Sequence, residues 1–264
     1  MSWSLQIVPA LAAVFLWWGL TGLIAWLIGK PSQTYRLLML SVSVIAALSL
    51  IVINQVAQSA TSTGAWVGFV AALGLWSWIE TSFLTGWITG PRKTLRPGGA
   101  MGWRHALDAI AAILWHELAI IILVGVVALI SIAAPNKIAL YTLLLLWVMR
   151  SSAKLNLFLG VRNLGEVFLP KHLSHLVGYL RQRTMNLLFP FSIALASVLA
   201  WQLGDRALSA ELPFEAVGYS LLAMLAALAL FEHWLMVLPI PADLLWRWSL
   251  ANRRGTNHEW SSNR

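Results

Sequence analysis

Cysteine is absent from the 264 residues, which excludes disulfides, thiolate-held metals and a cysteine nucleophile. Charge is scarce: 18 Lys and Arg with 10 Asp and Glu make 11% of the chain, against roughly 25% in an average soluble domain. So few charges cannot keep a surface of this size dispersed in water, and a soluble fold is disfavoured on that ground. Acidic residues are the scarcer sign, leaving a formal net charge of +8. The basic residues form no single stripe or arm. They stand in short connections between apolar runs, so membrane topology explains them before nucleic acid does, and no nucleic acid partner is expected.

Apolar length is what the chain has in abundance, with 59% hydrophobic residues. A bilayer core of about 30 Å takes roughly 20 apolar residues per helix. Seven such runs occur, at Leu5 to Ile28, Arg36 to Gln58, Thr63 to Ile88, Ala106 to Ala133, Ile138 to Gly160, Asn186 to Leu203 and Glu215 to Leu238. The first is too long for the apolar core of a cleaved leader and is expected to remain as a span. The expected fold is all-α: a polytopic integral membrane protein of about seven transmembrane helices, with residues 1–250 as one membrane domain and 251–264 as a polar tail.

Lysine and arginine set the orientation. Sixteen of the 18 fall in or beside the first, third and fifth connections and the tail, while only Lys137 and Arg206 occupy the intervening ones. The positive-inside rule makes the richer side cytoplasmic, with the N-terminus periplasmic and the C-terminus cytoplasmic in a bacterial inner membrane. Trp3, Trp26, Trp66, Trp87, Trp103, Trp201, Trp246 and Trp248 lie near span ends, as belt residues would. In the longest connection Leu169, Leu173, Leu176, Val177 and Leu180 recur at helical spacing against Lys171, His172, His175, Arg181 and Arg183. This predicts a basic amphipathic interfacial helix over 169–183, lying on the cytoplasmic membrane surface.

Ionisable groups inside the hydrocarbon cost about 2.5 to 3.5 kcal/mol each near its centre, so those retained mark candidate sites. Glu80, His116, Glu117, Arg150, Lys154, Glu232 and His233 lie inside the spans, all in the half nearer the basic connections. Asn156, Asn163 and Glu166 continue a second polar stripe if the fifth helix runs through Gly160. Three readings stay open. The carboxylates can neutralise Arg150 and Lys154 as a charge-paired core. Glu80, His116, Glu117, Glu232 and His233 can instead be ligands of a metal ion, as in carboxylate-bridged bundles, although the Glu-x-x-His spacing is missing. The third is a ligand or proton cavity, for which Trp76, Trp78, Trp115, Trp147 and Trp234 offer aromatic walls for a flat pigment or an isoprenoid tail and a histidine an axial ligand.

Four segments carry a resemblance: WSWIETSFLTGWITGPRK, LWHELAIIIL, KLNLFLGVRNLGEVFLPKHLSHLVGYLRQRTMNLLFPFS and FEHWLMVLPIP. They resemble the photosynthetic complex assembly protein 2 family of anoxygenic, purple-type phototrophic bacteria, over residues 74–248. The resemblance implies an inner-membrane auxiliary factor for assembling the reaction centre and light-harvesting complex or for supplying its bacteriochlorophyll. Bacteriochlorophyll or a precursor is then the implied cofactor or cargo, and reaction-centre or light-harvesting polypeptides the implied partners beside the lipid bilayer. The resemblance carries no catalytic residue. A metal-dependent membrane enzyme acting on a tetrapyrrole or isoprenoid intermediate is the competing expectation.

Overall fold

The computed structural model describes residues 3–94, 102–240 and 245–250. The expected polar tail at 251–264 and part of the third connection lie outside the described residues. Seven α-helices follow one another: α1 Ser4–Ile28, α2 Tyr35–Val56, α3 Ser62–Leu84, α4 Trp103–Ser131, α5 Ile138–Leu159, α6 Phe189–Ser209 and α7 Pro213–Val237. No β-strand is formed among the described residues. Six of the helices are long and apolar enough to cross a membrane, which makes this an all-α polytopic membrane protein. The exception is α6, which carries Asp205 and Arg206 in its last turns. It still joins the two ends of the bundle. Ser192 near its start bonds Asn156 close to the end of α5, and the carbonyl of Ala207 near its end accepts from Gln6 Nε2 at the start of α1, 3.0 Å away.

Helix ends follow local chemistry. Thr61 caps α3 by accepting the Gly64 N–H at 3.0 Å, and prolines occupy the first turns of α6 and α7, where a missing N–H costs nothing. Gly160, at φ +122°, ends α5 in a conformation that favours glycine. The polar stripe expected to run through it therefore breaks there. Its positive φ turns the chain away from the helix axis before Asn163 and Glu166 are reached.

The central helix is α3, buried over most of its length against α2, α5 and α7. Hairpin α6–α7 is the most closely paired, α1 lies along α7, and α4 sits beside α2 and α5. Phe69, Leu73, Leu145, Leu221, Leu222 and Leu225 form one core cluster; Leu75, Ile79, Ile120, Val127 and Leu143 form a second across α2 to α5. At the end holding Lys137, Asn136 joins two connections. Its Nδ2 donates to the carbonyls of Val56, Ser59 and Gly64, and its N–H to Ala57.

At the opposite, basic end the connection from α5 to α6 folds back as a cap. Val161 and Gln182 pair as an isolated parallel bridge, with Val161 N–H donating to Arg181 O and Arg183 N–H to Val161 O. The α-helix expected over 169–183 is instead a nine-residue 3-10 helix, Lys171–Tyr179. A 3-10 helix stacks positions three apart, and Leu173, Leu176 and Tyr179 stand at that interval. Their side chains are buried against Phe83 and Ala112, so this apolar face covers protein instead of entering lipid. Of the expected belt tryptophans, Trp3, Trp87, Trp103, Trp201 and Trp248 are exposed, whereas Trp246 is buried against α1.

Candidate functional site

The seven intramembrane residues come together as pairs and not as one centre. Arg150 Nη2 of α5 donates to Glu80 Oε2 of α3 at 3.0 Å. Lys154, one turn on, donates to Glu117 of α4. Each pair bolts α5 to a neighbour. Arg150 also lies in the field of Glu117 and of Glu232 from α7. Glu232 has no hydrogen bond or ion pair among the described residues, and its charged neighbours are Arg150 and Glu80.

The register of these groups is plain in the helices. Glu80 follows Phe69 and Leu73 by eleven and seven residues, Arg150 follows Ala139 and Leu143, and Glu232 follows Leu221 and Leu225 by the same steps. Steps of seven and eleven return to one helix face. Three buried apolar stripes therefore each end, toward the basic side, in a charged residue. Glu80, Arg150 and Glu232 stand four, nine and five residues before the last residues of their helices, about 6, 13 and 8 Å at 1.5 Å per residue.

The two histidines differ. His233 Nδ1 lies 2.8 Å from Ala229 O and its Nε2 2.9 Å from Ser152 Oγ. A carbonyl only accepts, so Nδ1 carries hydrogen and, in the neutral ring, Nε2 accepts from the Ser152 hydroxyl. That links α7 to α5. The His116 ring is 2% exposed, rests on Phe83 at 4.5 Å between centroids, and its Nδ1 has no partner among the described residues. Lys154 and Arg150 are its charged neighbours. Its main chain is diverted: the His116 N–H donates to Thr89 O at 2.9 Å, and Ala111 O accepts from Arg92 N–H at 3.4 Å. The segment after α3 thus lies directly on the α4 backbone. Gly90 permits this, since a Cβ there would collide with the Ala111 and Ala112 carbonyls. Arg92 then pairs with Asp108 at 3.0 Å.

The remaining expected residues lie elsewhere. Asn156 Nδ2 donates to Ser152 O and Ser192 Oγ, and Asn186 Nδ2 donates to Asn156 O, Asn156 Oδ1 and Gly160 O. Asn186 Oδ1 also accepts from the Leu188 and Phe189 N–H groups at the start of α6. This asparagine pair joins helices and terminates them. Asn163 Nδ2 reaches the carbonyls of Leu235, Leu238 and Ile240, tying the cap to the end of α7. Glu166 is exposed on a 3-10 turn outside the bundle, because α5 has already ended.

No three His, Asp or Glu side chains among the described residues converge closely enough to hold a metal ion. Of the five residues expected as possible ligands, Glu80 and Glu117 are paired with Arg150 and Lys154. Of the tryptophans expected as an aromatic wall, Trp76 is buried in the second core cluster with Trp78 and Trp147 packed against it, while Trp115 and Trp234 are exposed. Asn136 and Asn186 are structural polar residues that spacing alone did not single out. Only Asn136, beside Pro135 in an apolar connection, carries a local signal of its role.

The family model described as "Protein of unknown function (DUF3623)" matches residues 3–257. The chain is 37% identical, over 248 residues, to a Rhodobacter capsulatus protein titled "Uncharacterized 30.4 kDa protein in puhA 5'region", covering 92% of this chain and 90% of that protein. No solved structure matches.

Proposed function

Since the chain belongs to the DUF3623 family, we propose that it is a non-catalytic membrane factor that assembles a bacterial photosynthetic reaction centre and light-harvesting complex or supplies its bacteriochlorophyll. One observation carries this reading. The relative from Rhodobacter capsulatus, similar along nearly the whole of both chains, is named for its place in the puhA 5' region, a photosynthesis gene neighbourhood. An assembly role also accords with intramembrane charges spent on holding helices together. The basic cap at the cytoplasmic end supplies an anchor, as each Lys or Arg near an anionic lipid surface contributes about 1 kcal/mol.

Deleting the gene in a purple-type phototroph tests this. The core complex or its pigment should fall in the mutant, dark respiratory growth should be unchanged, and the pigment extract should hold the normal molecular species in altered amounts. Accumulation of one discrete biosynthetic precursor would instead assign an enzyme. Unchanged complex and pigment levels would remove both readings.

A further inference from the structure

Where the cap returns to the end of α5, two arginines are held in fixed positions. Arg181 N–H donates to Leu157 O and Arg183 N–H to Val161 O, which ties the backbone on both sides of Gln182 to the segment that ends α5. Side chains alternate in such an extended pairing, so Arg181 and Arg183 share one face. Their stems are seated as well. The Arg181 guanidinium lies 5.8 Å from the Phe158 ring centroid, and the Arg183 methylenes rest on Gly160, where a Cβ would come within 2.8 Å of Arg183 Cδ. Both arginines are nonetheless exposed, and neither has a carboxylate partner among the described residues. Arg162, the residue after Val161, is exposed too and adds a third positive charge.

Just beyond Arg183 the surface turns apolar. Asn186 Nδ2 donates to the carbonyl of Gly160, the residue that carries the Arg183 stem, so the start of α6 stands beside the arginines. From there Leu187, Phe191, Leu195 and Val198 are all exposed, Leu187 at 90%. Steps of four, four and three keep them on one helix face. The row is about 16 Å long at 1.5 Å per residue, the depth of one leaflet in a hydrocarbon core of about 30 Å. Exposed Gln202, Asp205 and Arg206 follow it. Guanidinium forks hold phosphate oxygens bidentately, and an apolar row one leaflet deep suits an acyl chain. We propose that Arg181, Arg183 and the row from Leu187 to Val198 form a binding site for one anionic phospholipid, its phosphate at the arginines and an acyl chain along α6. The site gives the electrostatic anchor of the cap one fixed position, and it does not depend on the assembly reading.

The test is native mass spectrometry of the full chain in mild detergent, offered phosphatidylglycerol and phosphatidylcholine with identical acyl chains. Wild type should retain phosphatidylglycerol over the zwitterionic lipid, and Arg181→Gln with Arg183→Gln should lower that retention about tenfold or more, the scale of a lost charge-assisted hydrogen bond. Arg36→Gln with Lys171→Gln removes as much charge from the same end and should leave retention near that of wild type. Equal losses in the two double variants would mean general attraction to a basic surface and would overturn the site, as would equal retention of both lipids by wild type. Leu187→Asn keeps the test decisive should the arginine variant fail to fold, because so exposed a position tolerates the change. It should weaken retention of long-chain phosphatidylglycerol and leave the dihexanoyl lipid unaffected; no change with either would remove the acyl row from the site. Release of the lipid by millimolar inorganic phosphate, or phosphate bound with no lipid retained, would assign a soluble anion and overturn the phospholipid.

Discussion

Glu117 and Lys154 form an ion pair that is three-quarters covered, and the two halves of it have unequal consequences. Removing one partner strands the other in a poorly solvated place, whereas removing both leaves packing only. Lys154→Met should destabilise the purified protein by about 3 kcal/mol, and adding Glu117→Gln should recover most of that loss in thermal unfolding. A double variant as unstable as the sum of the singles would show that the pair is not what joins α4 to α5. His175, outside the spans, has its pKa lowered from 6.5, chiefly because burial desolvates the ring, against a smaller opposing effect from the His172 backbone. A neutral ring favours the folded cap, so its contribution is present above the ordinary pKa and is lost as the pH falls through the lowered one. Amide exchange at Leu173 and Leu176, corrected for intrinsic rates, should therefore quicken on acidification, and His175→Gln should abolish that dependence. The charged residues were legible because hydrocarbon makes each conspicuous. Their pairing was legible only as a possibility, since which carboxylate meets which base depends on helix rotation.

Helices of 21 to 29 residues were readable from apolar length, and their breaks from glycine, proline and charge. The cap was not. Leu173 and Leu176 are compatible with both a 3.6 and a 3.0 repeat, and the choice was made by what lies beneath: Phe83 and Ala112 accept a narrow row three residues apart, completed by Tyr179. Nor could sequence show that residues 89–92 would press on α4, because the contact is made by backbone. Gly90→Ala tests that contact. Its Cβ would meet two carbonyl groups of α4 that cannot swing aside as a side chain would. The variant should lose about 1 to 3 kcal/mol, the range for forced overpacking, and the His116 amide should exchange faster as its bond to Thr89 lengthens. An unchanged melting point with an unchanged His116 amide would mean that the segment gives way freely.

For the whole molecule, seven helices joining alternate ends put Lys30, Arg36, Arg92, Lys93, Lys171, Arg181 and Arg183 at one end and Lys137 at the other. Reporters fused after Lys93, near Lys171 and at the C-terminus should read cytoplasmic, and those near Ser62, Asn136 and Leu208 periplasmic. A cytoplasmic reading near Asn136 would break the alternation. Fold class was legible from composition because a membrane leaves few alternatives for satisfying backbone hydrogen bonds. Steps of seven and eleven mark Glu80, Arg150 and Glu232 as inward, but which partner each meets is settled by the fit of neighbouring helices.

The bond between the two ends of the chain has a consequence in time. Trp18 Nε1 donates to Leu245 O, Trp246 Nε1 donates to Trp18 O, and Trp17 meets the Trp246 ring edge-on at 5.5 Å between centroids. These contacts join residues 227 and 228 positions apart. At about 5 to 20 residues per second of synthesis, α1 emerges roughly ten to fifty seconds before the segment that latches it. Throughout that interval its inner face, including the Gly22 surface later covered by Trp248, is open to lipid or to an insertion factor. The first helix made is thus among the last to be locked, and a nascent chain stalled short of Leu245 would hold every span while still lacking its latch.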